Sequence, residues 1–184
     1  MASAARGVPA NAAAAAPAAE FEVRDLNDLI SKAECFCLNE KPSATWRNLF
    51  MGDDRLLLTS DADEQLLLHI GFNETVKLHS INFQALNDDS APATVKLFIN
   101  RDSMGFSDCE DIEATQTLEL TAEDLKPDSA TLLKFVKFQR VSSISIFVEE
   151  NNGAESTSLS SIKFFGAPVA TTKMSEFKKQ EEGH

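Results

Sequence analysis

From Leu56 to Pro168 the sequence breaks into short apolar runs, each cut by a polar or turn-forming stretch before it can lengthen into a helix face. Strands average about 5–6 residues, and a chain punctuated at that interval folds most readily as packed antiparallel sheets. Leu56-Leu57-Leu58 and Leu66-Leu67-Leu68-His69-Ile70 flank the polar insert Ser60-Asp61-Ala62-Asp63-Glu64-Gln65, and Gly71-Phe72-Asn73-Glu74 reads as a turn. Within Val76 to Phe83 the apolar parity switches: Val76 and Leu78 lie on one side, Ile81 and Phe83 on the other. Such a switch marks a bulge or a strand buried on both faces. Val95, Leu97 and Ile99 alternate cleanly, and Leu132 to Phe138, Ile144 to Val148 and Ile162 to Phe165 complete seven or eight strands. Asn152-Gly153 is a tight-turn signal. The expected fold class is all-β, an antiparallel sandwich or jelly roll. Thirteen Phe and no Tyr suit a core between sheets, where ring volume counts and a phenolic hydroxyl would need a partner.

Helices are expected only at the periphery. Asp25 stands where it can cap a short helix whose stripe is Leu26, Leu29, Ile30 and Ala33. Trp46, Leu49 and Phe50 suggest a further helical turn, and Thr121 with Asp124 has capping-box spacing. Residues 1–20 read as a disordered Ala-rich leader without signal-peptide character, 21–172 as one folded domain, and 173–184 as a flexible charged tail. No apolar run approaches the roughly 20 residues that span a bilayer as a helix.

A formal charge of −12 disfavours nucleic acid and anionic membrane, whose affinity comes from Lys and Arg, and suits a basic protein surface. Three cysteines cannot all pair within one chain, which fits a reducing compartment. Cys35 and Cys37 could form a redox pair or half a metal site. Structural zinc usually wants four ligands, however, and reduced, partly buried thiols near a helix end are the simpler reading. Asp61, Asp63 and Glu64 do not form an EF-hand, because the sixth and twelfth positions counted from Asp61 hold Leu66 and Phe72 instead of Gly and Glu. They make either a solvated turn or an acidic contact patch. No nucleophile elbow and no phosphate-binding glycine loop is present, so no catalytic residue and no cofactor is assigned.

Several segments together resemble the PITH domain family: Cys35-Phe36-Cys37-Leu38-Asn39-Glu40, Ser60 to Leu67, Phe72 to Ser80, Val95 to Asn100, Phe135 to Gln139, Ser143 to Val148, Phe165 to Val169 and Thr172 to Lys178. The match runs from Leu26 to Lys179. It implies a jelly-roll sandwich similar to galactose-binding-like domains, and association with the regulatory particle of the 26S proteasome as a non-enzymatic adaptor or regulator. It further implies a monomer in the cytoplasm and nucleus. One branch of the family carries a thioredoxin domain ahead of this one; the short Ala-rich upstream segment resembles the free-standing branch instead. Because the Asp61, Asp63 and Glu64 segment is a signature of the resemblance, the contact reading is preferred for it. The tail supplies further contact candidates in Met174, Phe177 and Lys178, with His184 as a metal ligand offered to a partner. Two other functions are carried alongside: a small-ligand or carbohydrate module, with Trp46 as its stacking platform, and a thiol redox protein using Cys35 and Cys37.

Overall fold

A computed structural model describes residues 22–169. Ten strands follow in chain order: β1 (Arg24–Asp25), β2 (Ile30–Leu38), β3 (Leu58–Thr59), β4 (Leu66–Gln84), β5 (Pro92–Ile99), β6 (Gln116–Glu119), β7 (Thr131–Leu132), β8 (Val141–Asn151), β9 (Ser158–Leu159) and β10 (Ser161–Pro168). One short helix, α1 (Phe106–Asp111), lies between β5 and β6. All pairings are antiparallel.

The architecture turns on β4. Its first half, from Leu66 to Gly71, pairs with β2 on one side and β8 on the other. Its second half, from Val76 to Gln84, pairs with β10 and β7. One layer is therefore β2-β4-β8-β5-β6 and the other β1-β10-β4-β7, with a single strand crossing between them. The inner faces meet over Leu66, Leu68, Ile70, Phe72, Val76, Leu78, Ile81, Phe83, Ile144, Ile146, Ile162 and Phe164, all buried in one cluster. Phe72 and Phe164 close the two layers edge to face at 5.5 Å, in the geometry that their ring quadrupoles favour. A second, smaller cluster lies outside the first layer, where Leu67, Phe98 and Phe147 are covered by Met104 and Cys109. The first half of β4 is thus buried on both faces, which explains its unbroken apolar run.

The parity switch is a bulge. Phe165 pairs with Ser80 and Gly166 with Leu78, so His79 is the extra residue, and Leu78 and Ile81 both reach the core. The capping-box reading holds in half: Asp124 accepts from the Thr121 backbone N–H at 2.8 Å, but the Thr121 hydroxyl donates to the same carboxylate and does not cap the 3-10 turn Glu123–Leu125. The turn at Gly153, with φ of 118°, receives support from Asn151, whose side-chain oxygen accepts the Gly153 N–H.

Four local expectations are overturned. The helix after Asp25 is a single 3-10 turn, Asn27–Leu29, and Ile30 already begins β2. The Asn27 side chain accepts from Phe164 N–H at 3.0 Å and donates to the Ile162 carbonyl at 2.9 Å. That ties the segment to β10, and tertiary pairing outweighs a short apolar stripe. Gly71 to Glu74 is no turn but the bend inside continuous β4. Of Leu56 to Leu58, only Leu58 enters a strand. Leu132 to Phe138 is two residues of β7 followed by a 3-10 turn, Phe135–Lys137. The buried apolar residues there, Leu133 and Phe138, lie on opposite parities, while Leu132 and Val136 stand 66% and 81% exposed, a pattern that no single strand face gives.

Gly166 is required by close approach: a Cβ there would overlap the Lys77 carbonyl across the bulge. Gly166→Ala is expected to lower stability by about 3 kcal/mol, the upper range for overpacking, read as a fall in the urea midpoint at unchanged m-value.

Candidate functional site

Two of the sequence signatures meet at one end of the sandwich. Asn39, just past the end of β2, adopts a left-handed backbone with φ of 71°, a conformation Asn tolerates better than most residues. From there its side-chain amide donates to the Asp63 carboxylate at 3.0 Å and the Gln65 carbonyl at 2.7 Å, and its oxygen accepts from the Ala62 N–H at 3.0 Å. Its own carbonyl accepts from Asp61 N–H at 2.8 Å. Asp63 in turn accepts from Gln65 N–H at 3.0 Å. Behind the loop, buried Ser60 and Thr157 exchange backbone and hydroxyl bonds at 2.9 and 2.8 Å, and the Thr157 hydroxyl donates to the Glu64 carbonyl at 2.5 Å. Loop 60–65 is therefore a rigid mount.

The three acidic residues divide into two roles. Asp63 is exposed but engaged, holding the loop's shape. Asp61, exposed, and Glu64, half-buried, have side chains without a hydrogen bond or ion pair among the described residues. Among the described residues no three His, Cys, Asp or Glu side chains gather closely enough to hold a metal ion. Beside the loop, the Glu40 carboxylate accepts from Trp46 N–H at 2.8 Å, and burial holds its pKa above the ordinary range.

Trp46 does not serve as a stacking platform. It is 5% exposed, its edge meets Phe50 at 6.1 Å, and the Arg47 guanidinium covers its face at 4.7 Å. The pattern Trp46, Leu49, Phe50 buries Trp46 and Leu49 through the 3-10 turn Trp46–Phe50, which sequence alone cannot distinguish from an exposed ring.

Cys35 and Cys37 sit within β2, not near a helix end, and both are buried and unpaired, as is Cys109. Burial pushes all three thiols up: Cys35 and most strongly Cys37, with Cys109 at about 11. A reactive thiol needs a depressed pKa and access; none of the three has the first, and all three are buried. Met174, Phe177, Lys178 and His184 lie outside the described residues.

Sequence reasoning missed a recess of about 530 Å³ on the outer face of the first layer, lined by Ala33, Glu34, Cys35, Phe36, His69 and Asp102. It exists because β2 bulges: Ser31 pairs with Gly71 but the next paired residue, Phe36, faces His69. His69 stacks on Phe36 at 4.9 Å and shares a hydrogen bond with Ser145 at 3.1 Å. Burial lowers its pKa against the opposing pull of Asp102 and Glu34. The one available signal was a histidine inside an apolar run.

Asn39→Ala should free loop 60–65 by removing its side-chain bonds and leaving alanine at positive φ, for a loss of about 2–3 kcal/mol. Amide hydrogen exchange at residues 61–65 is expected to rise at least about tenfold; unchanged protection there would show that Asn39 is dispensable. For the cysteines, a thiol reagent applied to the native protein at pH 8 is expected to label none at an appreciable rate until denaturant is added. The rate should climb as pH rises past 9, because raised pKa values keep the thiolate scarce below it.

Solved structures similar to this one share its shape and little of its sequence. The family 32 CBM from C. perfringens NanJ in complex with galactose superposes with a TM-score of 0.59 at 8% identity, covering 78% of this chain and 99% of that one. A truncated AlyQ with CBM32 and alginate lyase domains gives 0.58 at 9%, over 80% and 34%. These likenesses speak to the fold, a jelly-roll sandwich. In sequence, Thioredoxin-like protein 1 of Schizosaccharomyces pombe is 36% identical over 162 residues, which is 85% of this chain and 56% of that protein. PITH domain-containing protein 1 of Homo sapiens is 36% identical over 126 residues, or 66% and 59%. The chain thus spans less than two-thirds of the length of these relatives. The family model described as PITH domain matches residues 16–183, and with the sandwich and its two interlocked signatures the chain belongs to the PITH domain family.

Proposed function

We propose that this domain is a non-enzymatic protein-binding module that associates with the regulatory particle of the 26S proteasome as an adaptor or regulator. The observation that carries the contact is the acidic loop: Asn39 and the Ser60–Thr157 pair fix its backbone, while exposed Asp61 and half-buried Glu64 have no side-chain partners of their own among the described residues. A preorganised loop loses little entropy on docking, and its carboxylates together with a charge of −12 steer a basic surface towards it. Membership of the PITH family supports the proteasome as the assembly concerned, and the reading carries with it a monomer in cytoplasm and nucleus. The suppressed thiols weigh against the redox reading, and the buried Trp46 against that ring as a sugar platform.

Immobilised full-length chain should retain purified 26S particles at low ionic strength and release them as salt rises. The Asp61→Asn/Glu64→Gln double variant leaves the Asn39 bonds intact and is expected to cut retention several-fold with less salt dependence. Retention equal to wild type would move the contact off this loop; no retention by the wild-type chain would end the proposal.

A further inference from the structure

We propose that the recess beneath the β2 bulge receives the guanidinium group of an arginine side chain from a partner protein. Its floor is the outer face of the first layer, where three rows of cross-strand neighbours can be followed. Leu67 and Phe147 form an apolar row, sealed by Met104 and Cys109. The next row is Phe36, His69, Ser145 and Phe98. The third is Ser31, Gly71 and Ser143. Glu34, from the bulge, lies directly over Gly71: a Cβ added there would fall 2.6 Å from its carboxylate oxygen. Gly71 is two residues from His69 on the same face, about 7 Å along the strand. Asp102 closes the far wall from the segment after β5.

The recess offers acceptors. The carboxylates of Glu34 and Asp102 have no ion-pair or hydrogen-bond partner among the described residues. His69 is 5% exposed and lines the recess. Its Nδ1 is taken by the Ser145 hydroxyl, while its Nε2 has no hydrogen bond among the described residues. Such a nitrogen, unpartnered on a ring that lines an open recess, is left available to a ligand. In the tautomer whose Nδ1–H donates to Ser145, Nε2 is an acceptor and joins the two carboxylates in facing a donor-rich ligand. A few residues away Ser143, 4% exposed and opposite Gly71, keeps a hydroxyl oxygen without a partner, so this strip of the face holds more polar capacity than the chain itself uses.

What fills it must be cationic and wide. A single metal ion is too small, since no three of these groups converge within ligand range. An ammonium is a compact point charge. A guanidinium spreads five donors over a plane and is weakly hydrated, which suits separated acceptors in a half-buried setting. Ala33, Cys35 and Phe36 supply the apolar wall for its methylene stem. The recess sits at the Gly71 end of the first half of β4 and the acidic loop at its Leu66 end, so the two contacts are separate. The inference rests on the protein-binding reading but not on which assembly is bound.

The test uses the full-length chain, ring-labelled at histidine, titrated by NMR with N-acetyl-arginine methylamide, the citrulline analogue and the lysine analogue. The His69 signal is identified by its loss in His69→Gln. The arginine probe is expected to shift it saturably, with the citrulline and lysine probes at least tenfold weaker. Glu34→Gln/Asp102→Asn is expected to weaken the arginine probe at least tenfold while the His79 signal stays in place. No saturable shift with arginine, equal binding of either analogue, or full affinity in a folded double variant would each overturn the assignment. Should the double variant fail to fold, the three probes on the wild-type chain still decide it. Because no proteasome is present, failure here is distinct from failure of the 26S capture.

Discussion

Everything in this domain is hung on the length and bend of one strand. β4 supplies 19 consecutive residues, and both layers are built by pairing against its two halves. Backbone groups buried between sheets must be bonded, so the strand cannot slip in one layer without breaking register in the other. The extra residue at His79 and the open backbone at Gly166 let Leu78 and Ile81 reach the same interior despite their opposite parity. The Phe72–Phe164 contact then fixes the distance between the layers at a point close to the bend.

The all-β class was legible because runs such as Val95-Lys96-Leu97 and Ile144 to Val148 alternate or saturate with strand-forming residues, and nothing nearby offers a helical competitor. The bulge was legible from the same alternation, since burial alone decides parity. The errors fall where pattern and tertiary pairing disagree. Leu26, Leu29 and Ile30 do have helical spacing, yet Asn27 finds backbone partners in β10 and the chain makes one 3-10 turn before β2 begins. Gly71 and Asn73 look like turn residues, but here glycine makes room for the Glu34 side chain rather than for a reversal. Leu132 to Phe138 carries strand composition in a segment where only Leu133 and Phe138 of its apolar residues are buried.

The site was legible in part. Asp61, Asp63 and Glu64 could be located as an acidic loop, but the separation of Asp63 as a structural acceptor from Asp61 and Glu64 as free carboxylates depends on Asn39, more than 20 positions upstream. Of the recess the sequence showed only a histidine inside an apolar run, because a bulge in β2 joins His69 and Asp102 through pairings that only the folded register reveals. A segment of this kind therefore contains residues with different roles. Cys37 and Leu38 fill space, Asn39 and Ser60 fasten a loop, and Asp61 faces outward.

The bulge in β2 has one more effect. β2 is an outermost strand of its layer, and an edge with free N–H and C=O groups invites a strand from another molecule. Four residues, Lys32 to Cys35, leave the ladder in the middle of that edge, and the opposite edge, β6, is only four residues long and ends in Glu119. Neither border offers an uninterrupted template, so crowded copies of this domain have little backbone on which to stack into fibrils.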